Sequence, residues 1–316
     1  MSKAPEYAAR HFLTWLNERY RREFTPAGEF AEVWQAADAE AGALSIFTAE
    51  LYEAPDEWRE RCDELCARLD QTRPGSYLLW QPPGGDLPDG EPEESEWVRR
   101  VVLTASKLAS GRRGEVRLPV RMALGKVREE GGHASVTGGL GRYWTEISGR
   151  LNGSYFLDSR GLNRFTKNDE ERTELYDQIG ALSQGVELGD VVEFEHEDAW
   201  SLQRLARGPA SEGLTDGWAI TGCPPGFEPQ DGGVIRRLLR RRLADATSVL
   251  SGVRDARVLV LIGADDYIEY EIAGSSLRGF DPTLAAPFDI IALVSDSEVK
   301  ALRLSRSLSF VRDAGA

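Results

Sequence analysis

Two short runs near the end of the chain constrain the fold most. VLVLI, Val258 to Ile262, and FDIIALV, Phe288 to Val294, are almost wholly apolar. A strand wetted on one face alternates polar and apolar residues, whereas a run with no polar side has both faces covered. Each run therefore predicts a strand inside a layered structure. Before the first run lies a helix over Gly233 to Leu250, with Ile235, Leu238, Leu239, Leu243, Ala246 and Leu250 at core spacing. Helix followed by a buried strand is the pattern of α/β layering. Between the two runs Tyr267 to Ile272 alternates as a half-buried strand. After them, Glu298 to Leu304 reads as a last helix.

The N-terminal third reads differently. Phe12, Trp15, Leu16 and Tyr20 form an apolar stripe on a helix over Glu6 to Phe24, and a second helix is expected over Glu29 to Glu40. Ala43 to Tyr52 fits strand or helix. Asp56 is placed as the N-cap of a helix whose apolar face is Trp58, Cys62, Leu65, Cys66 and Leu69. Ser76 to Trp80 is a strand, and Glu96 to Leu108 a helix. Between them QPPGGDLPDGEPEESE reads as a long polar loop, the best candidate for mobility in this half.

From Arg112 onward the pattern turns mixed. Glu115 to Val127 and His133 to Thr137 predict a β-hairpin around Glu129 to Gly132. Pro119 argues that its part of the strand lies at an edge or bulge. Gly138-Gly139-Leu140-Gly141 leads into a helix over Arg142 to Leu151. Ser154 to Asp158 is a strand, Asn168-Asp169 caps a helix to about Ser183, and DVVEFE and WAITG are two further strands. The expected fold is mixed α/β (α+β). A mainly helical region over 1–110 precedes a mixed α/β domain over 111–316, which has β-hairpins and a C-terminal helix–strand layer.

Composition narrows the class. The chain has 316 residues, 41% of them apolar and 28% charged, which suits a globular chain with a sizeable core. No stretch is apolar enough to predict a transmembrane helix, and the charged N-terminus does not read as a signal peptide. Cys62, Cys66 and Cys223 read as small buried thiols of a reducing cytoplasm. The formal net charge is −14, yet Arg99 to Lys167 carries 14 Lys or Arg against 5 Asp or Glu. A basic centre in an acidic chain can draw an anionic partner locally, unless the chain's own carboxylates pair with it.

Phosphate-loop, dinucleotide and serine-hydrolase patterns all fail. Val120 stands where the Walker pattern needs its first glycine, and Trp144 where the dinucleotide pattern needs its third. Gly138, Gly139 and Gly141 with Arg142 remain a candidate anion site, a nest of amides at a helix start; the structural alternative is a tight turn. Glu193, Glu195 and His196 are the densest set of metal ligands, and with Asp190 they make an alternative magnesium-dependent site; the bland reading is a solvated strand end. The order of DVVEFE, WAITG, long helix and VLVLI resembles the restriction-endonuclease-like fold. That resemblance implies an acid-x-Lys step on the second strand, but Trp218 occupies the lysine position two residues after Asp216, so the site it implies is degenerate.

Nucleic-acid contact without chemistry is the better-supported use of the basic centre. Arg112, Arg113, Arg117, Arg121, Lys126 and Arg128 lie along the predicted hairpin, and Tyr143 and Trp144 follow. Guanidinium groups hold phosphates, and aromatic rings stack on bases. The resulting expectation is a cytoplasmic, non-enzymatic interaction or assembly component. Its partner is a protein, with nucleic acid or another anion as a further ligand of the basic surface. No cofactor and no catalytic residue is assigned. The alternative is a metal-dependent enzyme acting on phosphate-containing or nucleic-acid substrates.

Overall fold

The computed structural model describes residues 3–30, 33–52, 54–81, 85–162, 169–211, 216–224, 232–263, 282–295 and 298–313. Among these residues, two mixed sheets of six strands each organise the fold. The first runs in the order β1 (Thr25–Phe30), β2 (Val33–Asp38), β3 (Gly42–Glu50), β10 (Ala256–Ile262), β11 (Ile290–Val294) and β12 (Val299–Leu304). The second runs β6 (His133–Gly138), β7 (Ser154–Ser159), β5 (Arg113–Arg128), β8 (Val191–Arg204), β4 (Ser76–Gln81) and β9 (Gly217–Gly222). The helices are α1 (Ala4–Tyr20), α2 (Asp56–Thr72), α3 (Glu93–Lys107), α4 (Trp144–Ser148), α5 (Asp169–Ser183), α6 (Gly232–Val249), α7 (Pro282–Ala285) and α8 (Ser309–Asp313). This is the mixed α/β class expected from the sequence. No described helix is long and apolar enough to cross a membrane.

The two apolar runs are the middle of the first sheet. β10 lies parallel to β3 on one side and to β11 on the other. Val258, Val260 and Ile262 pack with α1, while Leu259 and Leu261 pack with α6, so both faces are covered. The other flank of α1 meets the second sheet: Phe12 and Leu16 share one core with Leu78, Trp80 and Ala219. Polar contacts fix the same join. Tyr7 Oη donates to the Gly217 carbonyl at 2.8 Å, and an Arg10 guanidinium nitrogen donates to the Ala210 carbonyl at 3.1 Å. On the far side of the second sheet, α2 and α3 bury Cys62, Leu65, Trp97 and Val101 against Tyr77, Leu79, Trp200 and Leu202. Helices α4 and α5 cover the same side of its other half, against Met122, Leu124, Tyr155 and Leu157. Strands from both sides of residue 110 share each sheet.

Several local expectations are corrected. Where a helix was expected over 29–40, the chain forms β1 and β2, a pair antiparallel to each other. Val33 and Trp34 pack into cores on opposite faces of the sheet, and β3 supplies hydrogen-bond partners, which overrides the helix propensity of the Ala and Glu residues. The segment expected as a closing helix is β12, antiparallel to β11, for the same reason. The helix expected over 142–151 is a short 3-10 turn, Gly141–Tyr143, followed by α4. The strand expected over 267–272 lies outside the described residues.

The expected hairpin of β5 with β6 does not form. β7 lies between them, antiparallel to β5 and parallel to β6. Its Tyr155 and Leu157 are buried, whereas β6 buries Ala134 alone, so β7 takes the inner position. The turn after β5 is filled by the start of β7: Ser154 Oγ donates to the Glu130 carbonyl at 2.8 Å, and the His133 amide to the Gly153 carbonyl at 3.0 Å. A parallel pair needs a crossover, and α4 provides it. The described part of the acidic loop after β4 has contacts to α2. Arg61 donates to the Pro88 carbonyl at 2.7 Å, and Arg68 pairs with Glu91 at 3.0 Å.

Candidate functional site

β5 and β8 pair without interruption from Arg113↔Gln203 to Gly125↔Val191. Their neighbours cover only the ends. β4 pairs with Ser201 to Arg204 of β8, and β7 with Ala123 to Arg128 of β5. Around Pro119 and Glu197 the second sheet therefore narrows to two strands. The Arg204 amide donates to the Arg112 carbonyl, so residues in the even phase bond across the pair and residues in the odd phase face outward. Pro119 is in the odd phase, and its missing N–H falls on the open edge, as the sequence reading required.

A cleft of about 850 Å³ opens at this waist. One wall is Pro119 and Arg121 of β5 with Glu195, His196 and Glu197 of β8. The other comes from α2 (Glu57, Trp58, Arg61), the loop Asp86 to Asp89, and α3 (Glu93, Glu96, Trp97, Arg100). Trp58 is held by its indole N–H, which donates to Gln81 Oε1 at 3.0 Å, and Trp97 packs edge-on against Trp200.

The charges in the cleft are unevenly spent. Arg61 pairs with Glu64 at 2.9 Å and with Glu94 at 2.5 Å. Arg100 pairs with Glu96 at 2.9 Å and also with Glu197, joining α3 to β8. Hydrogen bonds from Arg99 and then Arg100 hold the Glu96 carboxyl down at about 2. Among the described residues, Glu57, Asp86, Asp89, Glu93 and Glu195 have no ion-pair partner, and Arg121 is the lining arginine without one. The open charge of the cleft is thus strongly negative.

Part of the basic centre is neutralised from within. Arg117 pairs with Glu171 at 3.6 Å, Lys126 with Glu129 at 2.6 Å, Arg160 with Asp158 at 2.5 Å, and Arg150 with Asp177. Arg112, Arg121, Arg128 and Arg142 have no ion-pair partner among the described residues, and Arg113 is held in an interaction of its own. Arg112 and Arg128 stand at opposite ends of a strand 16 residues long, so these cations do not gather. Arg142 lies over the Tyr143 ring, 5.0 Å from its centre, and Trp144 meets His133 edge-on.

The glycine loop is a tight turn with its amides engaged. Gly139 N–H donates to the Ser159 carbonyl at 3.2 Å and Leu140 N–H to Ser159 Oγ at 3.0 Å. Gly138 has φ +85°, and a side chain there would strike the backbone of Ser159 and Arg160. Gly141 starts the 3-10 turn ahead of α4, which has 5 residues.

Glu193 and Glu195 share the exposed row of β8, but alternation places His196 in the other row. Asp190 precedes the strand and bonds through its carbonyl to the Lys126 amide. Among the described residues, no group of three or more His, Cys, Asp or Glu side chains is arranged to hold a metal ion. Burial first, then the Arg117 guanidinium, holds the His196 imidazole below its ordinary range. The endonuclease-like order also separates in space. β8 and β9 belong to the second sheet with β4 between them, and β10 belongs to the first. Trp218 is buried, stacked on Tyr77 at 4.3 Å, with its N–H donating to the Arg73 carbonyl.

Sequence reasoning missed Glu57, Asp86, Asp89 and Glu93 as site residues. The available signal was the acid density of the loop after β4, which sequence alone could not place opposite Glu195. No protein-family model, no curated protein and no solved structure matches this chain.

Proposed function

We propose that the chain is a non-enzymatic interaction component that holds a basic segment of a protein partner in the waist cleft. One observation carries the reading: five lining carboxylates are unpaired among the described residues against one unpaired guanidinium. Lysine or arginine side chains entering the cleft would meet these carboxylates where Trp58 and Trp97 supply apolar and π surface. The volume, about 850 Å³, is within the range of sites that enclose a ligand. The basic surface first expected from the sequence supports an anionic ligand less well, because several of its cations already have internal partners and the open ones are spread along the strand.

The test is calorimetric titration with a short arginine- and lysine-rich peptide, beside an acidic peptide of equal length and a single-stranded oligonucleotide. The basic peptide is expected to bind, more weakly as salt rises. Glu57→Gln combined with Glu93→Gln should weaken that binding about tenfold, roughly 1.4 kcal/mol. Binding of the oligonucleotide in preference, with a steep salt slope, would return the reading to the basic residues. Indifference of the basic peptide to the double substitution would remove the cleft from the account.

A further inference from the structure

β8 has a long edge that no described strand occupies. Its odd-numbered residues turn their amides and carbonyls away from β5 and toward the rank of β4. Just past the end of β8, the Leu205 amide accordingly donates to the Ser76 carbonyl at 2.9 Å. β4 uses that edge only from Ser201 to Arg204. It ends at Gln81, and the next two residues in sequence, Pro82 and Pro83, carry no N–H for a ladder. The Ala199 amide is taken by the Asp198 carboxylate at 2.7 Å. Beyond it, Glu197, Glu195, Glu193 and Val191 present main-chain donors and acceptors on the side away from β5, where no described strand pairs with them. The waist cleft follows this edge. Glu195, His196 and Glu197 all line it, although neighbours along a strand point to opposite faces; they share one cavity where it runs beside the main chain.

Side chains decide what such an edge accepts. Glu193 and Glu195 are exposed, with no ion-pair partner among the described residues. Arg121 stands opposite Glu195 in register but forms no ion pair with it, and Glu197 is bonded to Arg100. A row of acids along an edge opposes pairing with a second copy of β8, because like charges would face each other. A strand with Lys or Arg at every second residue instead sets a cation beside each acid, on the same face of the sheet. We infer that the basic segment assigned to the waist cleft binds by adding a strand to β8, in the rank that β4 vacates, with its cations spaced two residues apart. The inference rests on the cleft's choice of a basic partner and adds main-chain pairing and a spacing rule to it. Glu193 lies on the same edge outside the cleft lining, so the added strand continues past the cleft.

The experiment is calorimetric titration of the full chain with peptides of identical Lys and Thr content. One peptide alternates Lys with Thr, and the other gathers its Lys at one end. The alternating peptide is expected to bind at least about tenfold more tightly. Two further versions of it carry N-methyl groups on the amides of either the Lys or the Thr residues. A strand shows alternate amides to its neighbour, so one version should lose binding and the other keep it. Glu193→Gln should weaken the alternating peptide about threefold, the size of one cross-strand charge pair. Equal affinity for the alternating and gathered peptides, or equal effects of the two methylation patterns, overturns strand addition while leaving a basic ligand in the cleft. Indifference to Glu193→Gln removes β8 as the edge and overturns it too. Failure of every basic peptide to bind ends both this inference and the reading it rests on.

Discussion

His11 lies in α1 near the second sheet, with Gln203 Nε2 at 2.9 Å from its Nδ1. The amide nitrogen is a donor, so Nδ1 accepts and the ring is neutral. Burial first, and then the Arg113 guanidinium, pushes its pKa down to about 4. In the unfolded chain the ring titrates near its ordinary value of about 6.5. The folded value is the lower one, so below that pH the unfolded chain binds the extra proton. Stability contributed by the neutral ring is complete above the unfolded pKa and is lost as pH falls toward the folded one. Urea unfolding should show the wild type losing on the order of 2 kcal/mol to this group between about pH 7.5 and about pH 5. His11→Gln should lose correspondingly less over the same interval. Some slope will remain, because His196 is shifted in the same direction. Equal slopes in the two proteins would show that His11 is not the group responsible.

At the scale of elements, the packing of α3 on α2 has a charged clamp at its edge. Glu94, near the start of α3, is 7% exposed and lies between Arg61 and Arg68 of α2. Burial alone would raise its pKa, but the two guanidinium groups outweigh it and hold the carboxyl below its usual range. Glu94→Gln would remove the charge and keep the shape. Arg61 retains Glu64 and Arg68 retains Glu91, so the loss is that of a half-screened pair. It should cost about 2 kcal/mol, seen as a lower urea midpoint with an unchanged slope. A midpoint equal to wild type would mean that apolar packing alone holds the two helices. These partners are 33 and 26 residues apart, beyond any helical spacing rule, so the clamp was not legible in the sequence.

At the scale of the molecule, α1 packs against both sheets. Phe12 is fully buried in a core that includes Val260 of the first sheet and Trp80 of the second. Phe12→Ala should destabilise the protein by about 3–5 kcal/mol. Because one cavity opens against both sheets, amides of β10 and β4 should lose protection from hydrogen exchange together. Protection retained in β4 while β10 exchanges freely would show that the sheets unfold separately.

Where local pattern and final environment agreed, the chain could be read directly. The buried strands β10 and β11, the helices α1, α2, α5 and α6, and the edge position of Pro119 follow from periodicity and from proline's missing donor. Strand partners did not follow, because pairing depends on which segments compete for one edge. β7 displaced β6 beside β5 by burying Tyr155 and Leu157, and β3 drew the 29–40 region into strands. The candidate site was even less accessible from sequence. Its acids come from α2, the loop after β4, α3 and β8, and only folding shows which of them find arginines and which remain open. Residue type and spacing determined most of the elements; the strands formed where helices were expected, the charge pairing and the strand order depend on residues far apart in the chain and were decided by the tertiary structure.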